Sequence, residues 1–107
     1  MFLVMINGDT ALAYQPHARL PGHVRRLLDE MDADMDHDLE LDGERIESPD
    51  TLQRGRFVAM KLIQAIQADN EGLKAATCAW LSNRLPDLSR IQAEDTGDTI
   101  YMELILE

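Results

Sequence analysis

The sequence predicts an α+β fold in a single domain spanning residues 1–107, with one antiparallel sheet built from hairpins and about three helical segments packed on it. Three observations carry this expectation. The dipeptides Asn7-Gly8, Asp42-Gly43 and Thr96-Gly97 each sit between strand-like segments, where a tight reversal is favoured. Between them lie segments whose apolar residues recur at helical spacing. The chain has 107 residues, 45% hydrophobic and 28% charged, the size and composition of one globular unit. Folding needs no cofactor or disulfide on these grounds.

Phe2 to Ile6 are apolar and β-prone, and Asn7-Gly8 turns the chain toward a weaker partner strand over Thr10 to Tyr14. Gln15 to Gly22, with Pro16 and Pro21, reads as a connection. A helix follows, with Val24, Leu27, Leu28 and Met31 on one face. Arg25 and Arg26 precede Asp29 and Glu30 by four residues and are expected to pair with them. Carboxylates oppose the negative end of the helix dipole, so this helix should end between about Met31 and Met35. If Asp42-Gly43 is a two-residue loop, Leu41 faces Glu44, Glu40 faces Arg45 and Leu39 faces Ile46. Ser48-Pro49-Asp50 begins a second helix that runs to about Asp69, with Leu52, Ala59, Leu62, Ile63 and Ile66 buried. Asn70-Glu71-Gly72 interrupts it. A third helix from Leu73 to about Leu85 buries Leu73, Ala76, Trp80 and Leu81, and Pro86 stops it. With Thr96-Gly97 as the last turn, Ala93 faces Ile100, Ile91 faces Met102 and Arg90 faces Glu103.

Charge is concentrated in one place. Asp29 to Glu44 contain nine acidic residues and no Lys or Arg, so of a formal net charge of -10 only -1 belongs to the rest of the chain. From Glu30 to Glu44 the acids occupy every second position, which is the side-chain period of a strand. With Asp29 and Glu30 neutralised on the helix, Asp32, Asp34, Asp36, Asp38 and Glu40 form the expected unpartnered face.

Several function classes are disfavoured. A pI near 4.5 and only five aromatic residues argue against a phosphate-backbone or base-stacking surface, so direct nucleic-acid binding is not expected. No apolar run approaches a membrane span, and the N-terminal segment lacks the basic region of a signal peptide, so the expectation is a soluble, cytoplasmic protein. The lone Cys78 reads as a buried, inert thiol. His17, His23 and His37 show no metal-site spacing, although Asp36 and Asp38 flank His37 and favour its protonated form. No phosphate loop, nucleophile elbow or Cys/His signature is present, which weighs against an enzyme.

The acidic run half-matches a calcium loop starting at Asp38, but position twelve is Pro49, which offers no side-chain oxygen. Looser divalent-cation binding by Asp34, Asp36, Asp38 and Glu40 is the alternative reading. The leading one is a protein contact. The acidic face would meet a basic partner, or Arg54, Arg56 and Lys61 of a second copy, with Phe57 as an aromatic anchor in a homodimer. Charge that keeps an edge strand from aggregating would explain the same row without any ligand.

Overall fold

The computed structural model describes residues 2–15, 22–35, 38–41, 44–47 and 49–106. The chain is α+β, as expected. Strands β1 (Phe2–Ile6) and β2 (Asp9–Tyr14) are followed by helix α1 (Gly22–Met35). Strands β3 (Asp38–Leu41) and β4 (Glu44–Glu47) come next, then helices α2 (Thr51–Gln67) and α3 (Glu71–Arg84). Strands β5 (Leu88–Asp95) and β6 (Ile100–Leu106) complete the order.

Strands β2-β1-β5-β6 form a four-stranded sheet, in that order, and β3-β4 form a separate two-stranded one. The main sheet is mostly antiparallel, but β1 and β5 run parallel, with Val4 opposite Ile91 and Ile6 opposite Ala93. A parallel pair needs a long crossover, and the helices and acidic hairpin between the two strands supply it. Local patterning carries no information about which distant strands pair, so the sequence pointed only to hairpins.

The first turn behaves as its residues require. Asn7 and Gly8 both have positive φ (53° and 85°), the backbone that Asn-Gly adopts in a two-residue reversal. Asn7 also joins the turn to β5: its N–H donates to Ala93 O at 2.9 Å, and its Oδ1 accepts from Asp95 N–H at 2.9 Å.

The acidic hairpin has the expected register, with Leu39 opposite Ile46, Glu40 opposite Arg45 and Leu41 opposite Glu44. Its turn at Asp42-Gly43 lies outside the described residues. The last hairpin is shifted instead. Ala93 faces Met102 and Ile91 faces Leu104, so the reversal is one residue later than expected, at Gly97-Asp98. Gly97 has φ 92°, and Thr96 N–H closes the loop onto Thr99 O at 3.0 Å. The glycine takes the first turn position, not the second. Moving the turn by one residue moves the register by two, which leaves every side chain on its intended face.

Helix α2 starts from Asp50, not from Ser48, which lies outside the described residues. Asp50 Oδ1 accepts from Gln53 N–H at 2.8 Å while Gln53 Oε1 accepts from Asp50 N–H at 2.9 Å, a reciprocal cap. Asn70 caps α3 by accepting from Leu73 N–H at 3.1 Å, so the residue read as an interruption is a start signal. Val58, Ala59, Leu62 and Ile63 of α2 and Cys78, Trp80 and Leu81 of α3 meet Phe2, Val4 and Ile91 of the sheet in one core. Leu52, at 46% exposure, and Leu73, at 37%, lie outside that core, contrary to expectation. Each sits in the first turn of its helix, ahead of the segment that packs. At Gly55, α2 lies close against its neighbours: a Cβ built there would lie 2.6 Å from Leu85 Cδ1 and 3.6 Å from Leu104 Cδ1.

Candidate functional site

The acidic segment divides between two kinds of structure. Helix α1 continues to Met35, so Asp32 and Asp34 are helical and do not extend the strand row. Two residues along a helix turn a side chain through about 200°, so these acids face opposite ways. Asp34 is exposed and Asp32 is half-buried. Asp38 and Glu40 are on β3, while Asp36 lies outside the described residues. The carboxylates named for cation binding therefore do not share one extended strand. Among the described residues no group of three or more acidic, His or Cys side chains could hold a metal ion.

Asp32 is not an unpartnered acid, which corrects the expectation from alternation. Its Oδ1 accepts from the Trp80 indole Nε1–H at 3.0 Å and its Oδ2 from Arg84 Nε at 2.9 Å. Arg54 Nη1 adds an ion pair at 3.6 Å and donates to the Asp32 carbonyl at 3.3 Å. Asp29, one turn earlier on the same face, pairs with Arg84 Nη2 at 3.2 Å, where the sequence suggested Arg25. The physical reason is a buried indole. Trp80 is 1% exposed, and its N–H needs an acceptor that the helix interior does not provide. An acid forty-eight residues earlier, on α1, supplies it because α1 packs on α3.

This cluster lines an open cleft of about 460 Å³, bounded by Asp32, Arg54, Trp80, Arg84 and the start of α2 at Pro49–Thr51. Both guanidinium groups ion-pair with the Asp32 carboxylate and Asp29 also pairs with Arg84, so two acids face the two arginines. Arg54 also donates through Nε to Pro49 O at 3.1 Å. It therefore belongs to this interior network and not to an outer patch with Phe57. Phe57 is half-buried and packs against the core, with Lys61 Nζ 5.3 Å from its ring centroid. A cation over an aromatic face is itself stabilising, and it uses the pair that was expected to meet a partner.

A second recess of about 150 Å³ lies between Leu12 and Tyr14 of β2 and Glu71, Lys74 and Cys78 of α3. Burial pushes the Cys78 thiol up to about 12, with Lys74 pulling weakly the other way, so the thiolate a nucleophile needs is suppressed. Burial also raises Tyr14. Lys74 is raised by its hydrogen bond to Glu71, an ion pair of 2.9 Å at the surface.

Exposed acids remain on α1. Asp29 has 77% of its side chain exposed, and Glu30 and Asp34 are exposed as well. Compared with family models, curated proteins and solved structures, the chain matches none.

Proposed function

We propose that this chain is a non-enzymatic protein-binding domain whose acidic segment, from α1 into β3, is the contact for a basic partner. One observation carries the reading: Glu30 and Asp34 are exposed on a helix held in place by the Asp32–Trp80–Arg84 cluster. A rigid platform with single-signed charge favours steered association with an oppositely charged surface. The suppressed thiol of Cys78 and the internally matched arginines of the cleft offer no activated group for a reaction.

The test is affinity capture from the source cell at low and high salt, with the wild-type chain and a Glu30→Lys/Asp34→Lys variant side by side. A basic protein that is retained at low salt, released at high salt and missed by the variant supports the proposal. A partner held equally by both forms refutes it. No helix among the described residues is long and apolar enough to cross a membrane.

A further inference from the structure

The main sheet has two edges, and they differ in kind. At β2 the pairing with β1 slips between Val4 and Met5, leaving Ala11 as an extra residue. Bulges of this sort twist an edge away from further pairing. At the other edge, β6 has seven residues, IYMELIL, with one charge, no Pro and no Lys. The irregularity in its pairing, between Leu88 and Arg90, lies on β5 and leaves β6 itself regular. Among the described residues β6 pairs with β5 alone.

The direction of the β6 backbone follows from two hydrogen bonds. The Ile105 carbonyl accepts from Ser89 Oγ of β5 at 3.2 Å, so it faces into the sheet. The Ala93 carbonyl accepts from Asn7 N–H on the β1 side, so Met102, opposite Ala93, receives no ladder bond from it. Both observations place the backbone groups of Tyr101, Glu103 and Ile105 toward β5. Those of Ile100, Met102, Leu104 and Leu106 then face out of the sheet.

We propose that β6 pairs antiparallel with β6 of a second copy about a two-fold axis at Met102, joining two four-stranded sheets into one. Antiparallel partners share a face, so the axis falls on a residue, and three registers, with axes at Met102, Glu103 and Leu104, pair five or more of the seven β6 residues. An axis at Glu103 sets two carboxylates directly opposite each other. An axis at Leu104 sets each Glu103 against an apolar Ile105. An axis at Met102 places Ile100 against Leu104 and Met102 against Met102 on the core face. On the outer face it puts Tyr101, 62% exposed, against Glu103, also exposed. This register alone matches both faces, and its axis falls on an outward-facing backbone residue, where a hydrogen-bonded pair forms. The surface is separate from the acidic segment.

Sedimentation equilibrium over a concentration series, from micromolar to submillimolar, tests it. The wild type should approach twice its monomer mass of 12.1 kDa. Tyr101→Glu sets like charges opposite each other in both symmetry-related pairs and should weaken the dimer about tenfold. Tyr101→Glu/Glu103→Lys restores opposite charges in this register and should recover wild-type affinity to within about threefold. Melting temperatures of the variants confirm that the monomer fold is intact, since both side chains are exposed. A wild type that stays monomeric throughout overturns the proposal, while unchanged salt-sensitive capture through Glu30 and Asp34 would leave the proposed function standing. A dimer that ignores Tyr101→Glu, or a double variant that does not recover, also overturns it.

Discussion

Replacing Asp32 by Ala should cost about 3 kcal/mol of folding stability, and the figure can be assembled from its partners. The Trp80 indole N–H is buried and loses its acceptor, a loss of about 2 kcal/mol for an unsatisfied donor of this kind. Arg84 and Arg54 lose a shared counter-charge. Their side chains are 31% and 20% exposed, so water compensates in part, and about 1 kcal/mol is assigned to them together. For a chain of this size the melting temperature should fall by about 12 °C or more. Urea unfolding followed by fluorescence suits the measurement, because Trp80 is the sole tryptophan and lies in the perturbed cluster. Asp34→Ala is the control: it is exposed on the same helix, shares the gain in helix propensity, and should change stability by about 0.5 kcal/mol or less. Asp32→Asn keeps an acceptor for the indole but loses the charge, and should fall between the two. If Asp32→Ala is within about 0.5 kcal/mol of Asp34→Ala, the cluster does not hold α1 on α3 and the reasoning fails.

Other outcomes follow from the helix cap and the thiol. Asp50→Ala removes the side-chain half of the reciprocal cap on α2, while its backbone N–H can still donate to Gln53 Oε1, and should cost about 1 kcal/mol, read as a lower urea midpoint with an unchanged slope. Cys78 should resist alkylation in the native protein at pH 8 and react once urea unfolds it; rapid native labelling would contradict its burial. The same shift has a sign. The folded thiol, at about 12 against an ordinary 9.0, keeps its proton where the unfolded one has lost it, so stability should decline as pH rises from about 9 toward 12. Cys78→Ala should flatten that part of the pH profile.

Much of the fold was legible because it rests on local chemistry. Asn7-Gly8 specified its turn through backbone preference, and the acidic hairpin took the register that places Glu40 against Arg45 and Leu39 against Ile46. The positions of α2 and α3 followed from their apolar stripes. Where the reading slipped, two local rules competed. At Gly97 the glycine can occupy either turn position, and the pairs were chemically acceptable both ways. At Asp32 and Asp34 a period of two coincided with the end of a helix, and helical packing won. The candidate site was less legible. Helical spacing places Trp80 in the core, but nothing near it in sequence indicates that its N–H is met by Asp32, forty-eight residues earlier.

The sequence by itself determined the fold class, the Asn7-Gly8 turn, the helical segments and the concentration of negative charge, since each depends on neighbours within a few residues. Tertiary structure alone decided that β1 lies parallel to β5, which acids are engaged and which are exposed, and which sheet edge is left regular. Those outcomes depend on pairings between distant segments, where burial of Trp80 and satisfaction of its hydrogen bond outweigh any local alternation of charge.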